Sequence, residues 1–200
     1  MSPIERETKL EVTREDYQKI LASGDLRETR DQLNIYLHDP GRLGDEFGYF
    51  RVRLEAGGSA TATLKVPVGW EGEVREMLEV ERPLSELGPG LFPRPRRWVS
   101  LESSASEGLT EHFQGLGITR LRRLGWMRNL RHVVYWAGIG SVELDRTLLP
   151  NGGVHYEVEI DDPRKEVHQA LVRKIREVAP SATFTRVGKF SRFLWAVGMR

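Results

Sequence analysis

Charge recurs at every second position in one stretch of this chain after another, with mostly uncharged residues between. The sets are Glu5, Glu7 and Lys9; Arg51, Arg53 and Glu55; Lys65; Glu79 and Glu81; Glu143 and Asp145; Glu157 and Glu159. A period of two puts each set on one face of a strand. A single such strand reads as an ordinary solvated face. A whole series of them, in a chain whose periodicity supplies only about three helices, leaves many aliphatic faces to be covered. Two architectures satisfy this. An open antiparallel sheet keeps its charged face in water, whereas a closed antiparallel barrel wraps that face around a lumen and takes its helices outside. The near-even mixing of signs favours the barrel, because a cavity that holds cations and a polyanion together needs both.

The local pattern agrees with a strand-rich chain. Thr13 caps a helix reaching about Ala22, with Asp16 in capping-box position and Gly24 closing it. Residues 27–39 read as a strand. Phe50–Glu55 and Ala60–Val66 flank Gly57-Gly58-Ser59 as a hairpin, and another strand covers 73–82. Pro and Gly cluster at 83–95, and a helix is expected at 103–114. Strands follow at 118–124 and 128–136, then Ser141–Arg146 and His155–Ile160 around a turn at Pro150–Gly153. Val167, Leu171, Ile175 and Val178 lie at helical spacing after Pro163, and Lys189–Val197 reads as a short terminal helix.

Composition narrows the chemistry. The 200 residues suit one domain over 1–200 with an ordinary hydrophobic content of 39%. There is no apolar run of membrane-span length and no signal-peptide order at the start, so a cytoplasmic protein without a membrane partner is expected. The absence of cysteine excludes disulfides and thiolate metal sites, and the five histidines lack zinc-type spacing. Net charge is +1, but residues 92–131 carry 8 basic and 3 acidic residues, including Arg94, Arg96 and Arg97. That segment would attract polyanions, whether phosphates or nucleic acid.

Glu5-x-Glu7-x-Lys9 is the sharpest local signal. Two carboxylates on adjacent same-face positions repel each other, and an ammonium follows, an arrangement that suits a shared multivalent cation and anion. The chain resembles the CYTH superfamily of triphosphate tunnel metalloenzymes at this motif. The likeness continues in order at Arg51-Val52-Arg53, Thr63-Leu64-Lys65, Val142-Glu143-Leu144-Asp145, Tyr156-Glu157-Val158-Glu159-Ile160 and Gly188-Lys189-Phe190. The resemblance implies an α+β fold, an eight-stranded antiparallel β-barrel forming a triphosphate tunnel with helices packed outside. It implies Glu5, Glu7, Asp145, Glu157 and Glu159 as ligands of magnesium (Mg2+) or manganese (Mn2+). Lys9, Arg51, Arg53, Lys65, Arg131 and Lys189 become ligands of the substrate phosphates, with Glu5, Glu7, Lys9 and Glu159 catalytic. Arg128 is the alternative to Arg131, and Asn129 stands where many members of the family have lysine.

These residue types fit phosphoryl chemistry. A triphosphate is cleaved through a loose transition state, so positioning and charge neutralisation do most of the work. Arginine forks and lysine point charges on neighbouring strands grip successive phosphates, and hard divalent ions take carboxylate oxygen. The resulting expectation is a metal-dependent triphosphate hydrolase acting on a small molecule, first of all inorganic tripolyphosphate. The rivals are an adenylate cyclase, a thiamine triphosphatase using an aromatic platform at the mouth, and a non-catalytic polyphosphate or RNA binder. Of Trp70, Trp98, Trp126, Trp136 and Trp195, most are expected in the core. A homodimer is left open.

Overall fold

The computed structural model describes residues 4–39, 48–83, 98–100, 111, 113–115, 117–162 and 164–199. Ten strands form one sheet: β1 (Ile4–Glu11), β2 (Asp25–His38), β3 (Tyr49–Glu55), β4 (Ala60–Glu71), β5 (Val74–Pro83), β6 (Trp98–Ser100), β7 (Arg120–Trp136), β8 (Gly140–Leu148), β9 (Val154–Ile160) and β10 (Thr183–Phe184). Eight of them close on themselves in the order β1-β5-β4-β3-β2-β7-β8-β9, and β1 returns to β9. Every pairing is antiparallel. The barrel of the two architectures is therefore the one adopted. β6 and β10 are short additions on β7 and β1.

Alternation sorts the strands as expected, with ionic residues inward and aliphatics outward. Leu10, Val134, Val142, Leu144, Val158 and Ile160 form an outer cluster beneath helices α1 (Arg14–Ala22) and α2 (Lys165–Val178), which contribute Tyr17, Ile20, Leu171 and Ile175. On another side of the barrel, Ile35, Leu37, Phe50, Val52, Ala62, Leu64 and Val80 pack with Phe113 and Leu121. A third helix, α3 (Lys189–Ala196), takes a different place. Its Phe190, Phe193 and Leu194 pack on Tyr36 and Met127, with Tyr49 beside them. Tyr36 pairs with Arg51 in register and shares its inward face. The helix thus caps the barrel end where β2 finishes and β3 begins.

Local details differ from the sequence reading at four points. The expected strands 118–124 and 128–136 are one strand of 17 residues, β7, running through Gly125. A side chain there would press on Phe193, since an added Cβ would lie 3.1 Å from its ring, so this glycine marks a helix contact and no break. Gly24 is likewise no helix cap. Ser23 closes α1, and an added Cβ on Gly24 would meet the Tyr135 carbonyl at 2.8 Å. Of the tryptophans, Trp136 is buried, donating to the Ser23 carbonyl at 3.1 Å, while Trp70, Trp126 and Trp195 are exposed, contrary to a core role. Finally, β4 runs past Val66 to Glu71 by a bulge between Pro67 and Gly69. The expected helix at 103–114 and the arginines 94, 96 and 97 lie largely or wholly outside the described residues.

Candidate active site

The inward faces meet in a cavity of roughly 560 Å³. β1 supplies Glu5, Glu7 and Lys9; β3 supplies Arg51 and Arg53; β4 and β5 supply Lys65, Arg75 and Glu79; β7 and β9 supply Arg131 and Glu159; α3 supplies Lys189. Asp145 and Glu157 lie behind this wall, fully buried. All eleven residues expected from the sequence are thus within or directly behind one cavity. Arg128 is outside it, exposed and donating to Asp31 at 2.7 Å, so Arg131 is the arginine of this strand that enters the tunnel.

The carboxylates fall into two groups. Asp145, Glu157 and Glu159 each offer an oxygen, and these atoms lie within 4.8 Å of one another. Glu5 and Glu7 stand apart with Glu79, gathered around Lys65, which pairs with Glu5 and lies 2.9 Å from Glu79. Lys9 bridges the groups, 2.9 Å from Glu7 and 2.5 Å from Glu159. The Lys189 ammonium sits between the three clustered carboxylates, 2.7 Å from Asp145, 2.9 Å from Glu159 and paired with Glu157.

Charge states follow from these contacts. Burial opposes the lysine charges, yet the carboxylates around Lys9, Lys65 and Lys189 outweigh it and raise all three above the ordinary lysine value. Burial likewise works against ionised Asp145 and Glu159. Arg131 and Lys189 at Asp145, and Lys189, Lys9 and Arg131 at Glu159, nevertheless hold both below the usual carboxylate range. Burial prevails at Glu5 and Glu143, which are raised.

Arg53 is the exception among the cations. Its printed partner is the Asn34 side-chain oxygen at 3.1 Å, and no carboxylate among the described residues reaches it. Burial, with Arg51 and Arg131 as cationic neighbours, lowers its pKa from 12.5 to about 10. Arg51 has only Glu79, at 3.9 Å. Seven basic side chains line the cavity against four acidic ones, and the surplus gathers at Arg51 and Arg53.

A residue-by-residue model of the CYTH domain matches residues 3–194. The chain belongs to the CYTH family. Among solved structures, HpAC1 from Hippeastrum, named an adenylyl cyclase and described as having a dominant triphosphatase activity, is 21% identical with a TM-score of 0.74. The match covers 98% of this CYTH chain and 97% of that one. A Bacillus halodurans protein named as an adenylate cyclase is 20% identical, TM-score 0.73, covering 96% and 99%. The Mimivirus capping enzyme triphosphatase is 11% identical, TM-score 0.50, covering 88% and 89%. At these identities the likeness is one of fold. No curated protein matches the CYTH chain in sequence.

The sequence reading did not anticipate Arg75, Tyr36, Tyr49 or Phe190 in the cavity wall. Arg75 was within reach, since it keeps step with Glu79 and Glu81, but Met77 interrupts the charged run. Tyr36 keeps step with Gln32 and Asn34, a polar series that carries no charge.

Proposed function

We propose that this CYTH protein is a metal-dependent hydrolase of triphosphates, with inorganic tripolyphosphate as its leading substrate. The observation behind this reading is the uncompensated positive charge of Arg51 and Arg53 inside a tunnel whose other cations are paired with carboxylates. A buried guanidinium without a counterion calls for an anion, and its planar fork matches phosphate oxygens.

The residues also fit a divalent ion. Asp145, Glu157 and Glu159 form an all-oxygen donor set of the kind magnesium and manganese prefer, and the three already surround one cation, the Lys189 ammonium. Glu5 and Glu7 would complete the set from the far side of Lys9. A bound divalent ion would neutralise phosphate charge and lower the pKa of a coordinated water. As phosphates enter, Lys9, Lys65 and Lys189 exchange carboxylate partners for phosphate oxygens, freeing the carboxylates for the metal. Arg51, Arg53 and Arg131 hold the chain in line. The water oxygen bonds to the terminal phosphorus as the bridging P–O bond breaks, giving orthophosphate and pyrophosphate.

The tunnel rim weighs against thiamine triphosphate. Trp70, the aromatic nearest the role of a platform, has the guanidinium carbons of Arg75 and Arg186 at 5.5 and 5.2 Å from its ring, a setting that repels a thiazolium cation. Orthophosphate release from tripolyphosphate, measured colorimetrically with magnesium or manganese, tests the proposal. Absence of turnover with any divalent ion would remove it, and cyclic AMP formed from ATP would replace hydrolysis by the cyclase reaction. Glu159→Gln is expected to abolish release while anion binding persists.

A further inference from the structure

Behind the cavity lies a buried run of neutral amides and hydroxyls that the proposed reaction does not use. Gln32, Asn129 and Thr147 pair across β2, β7 and β8, and none exceeds 1% exposure. The run has one direction. Gln32 Nε2 donates to Glu55 at 2.8 Å, which turns its Oε1 toward β7 to accept from Asn129 Nδ2 at 3.2 Å. Thr147 Oγ1 donates to Asn129 Oδ1 at 2.8 Å, and Asn129 Nδ2 donates to Asp145 Oδ1 at 3.0 Å. Reversing the Asn129 amide would set an oxygen against the Asp145 carboxylate and a second donor against the Thr147 hydroxyl hydrogen, so the network admits one orientation.

The consequence falls on Asp145. Its Oδ1 is consumed by Asn129 and by Arg131 Nε at 2.8 Å. Its Oδ2, although it also accepts from Arg131 Nη2 at 2.6 Å, is the oxygen presented to Lys189. Charge is balanced here: Asp145, Glu157 and Glu159 face Arg131, Lys189 and Lys9. A further cation at position 129 would tip that balance positive and oppose entry of a divalent ion. A neutral amide fixes Asp145 without doing so.

We infer that Asn129, oriented by Gln32 and Thr147, is a positioning residue that aims Asp145 Oδ2 at the divalent-cation site and keeps that site's charge negative enough to fill. This rests on the metal-dependent reading above, but it is tested apart from turnover. Mn2+ binding to the substrate-free protein is measured by titration calorimetry and by the loss of free Mn2+ signal in electron paramagnetic resonance, with folding checked by thermal melting. Asn129→Lys is expected to weaken Mn2+ binding about 10–100-fold, the usual range for a residue that orients a metal ligand. Thr147→Val keeps shape and charge and removes only the hydroxyl that orients the amide; it is expected to weaken binding about 3–10-fold. Mn2+ affinity within twofold of the original in folded Asn129→Lys would overturn the inference, as would a lowered melting temperature with unchanged Mn2+ affinity. If Asn129→Lys fails to fold, unchanged affinity in Thr147→Val overturns it alone. A wild-type protein that binds Mn2+ in the expected way but releases no phosphate would sink the hydrolase and leave Asn129 in its role.

Discussion

Arg53 shows how one residue ties stability to binding. Its folded pKa, about 10, lies below its value of 12.5 in an unfolded chain, so the charged form disfavours folding at every pH below about 10. That cost is relieved only as pH climbs from 10 toward 12.5, or when an anion arrives. Arg53→Gln is therefore expected to raise the melting temperature of the ligand-free protein by about 2–4 °C, the shift that roughly 1 kcal/mol produces in a chain of this size. The same change should weaken tripolyphosphate binding at least tenfold and abolish the stabilisation that tripolyphosphate confers. A variant that melts lower than the original, without ligand, would show that the guanidinium is compensated after all. The inward direction of this side chain was legible from Arg51-x-Arg53 alone, because alternation fixes the face. Its lack of a counterion was not. Which carboxylate faces which cation depends on how the strands are staggered around the barrel, and that stagger sets Glu5 and Glu7 beside Lys65 while sending Asp145, Glu157 and Glu159 to Lys189.

Among the elements, α3 does the most to shape the site, and it does so through β7. The helix carries Lys189 at its first position and seats Phe193 over Gly125, where an added Cβ would lie 3.1 and 3.3 Å from ring carbons. Gly125→Ala should force the ring outward at a cost of about 1–3 kcal/mol, the range for overpacking. It should also shift Lys189 off its carboxylates and raise KM for tripolyphosphate more than it lowers kcat. Adding Phe193→Leu returns the space, so the double variant should recover most of both losses; a double variant as damaged as the sum of its parts would show that the two positions do not touch. In the sequence this contact reads as its opposite. Gly125 looks like a strand break, and only the helix resting on it shows why the strand needs no side chain there. The amphipathic stripe of α2, by contrast, was plain from Val167, Leu171, Ile175 and Val178, because its period is local.

For the molecule as a whole, the barrel closes where β1 meets β9, and that seam is ionic: Lys9 is registered with Glu159, and Glu11 with Glu157. The sequence declared the strands but not this closure, which joins residues some 150 positions apart through pairs that no local pattern encodes. The seam predicts an acid response whose sign can be worked out. Glu159 and Asp145 have depressed folded pKa values, so their stabilisation is complete above the unfolded value of about 4 and is lost as pH falls below it toward the folded values. Glu5 and Glu143 are raised, so their charge opposes folding near neutrality and their protonation, as pH falls toward 4, relieves that opposition. Measured calorimetrically without divalent ions, the melting temperature should stay level or rise slightly from pH 7 to about 4.5 and then drop steeply. Hydrogen exchange should show the amides of β1 and β9 losing protection first, before those of β2 and β3, whose pairing contains no comparable ion pair across the strands. Glu159→Gln removes the titrating group at the seam and should flatten the drop. A melting temperature already falling between pH 7 and 5, or early loss of protection in β2 and β3, would mean that the ring is held together by something other than its internal ions.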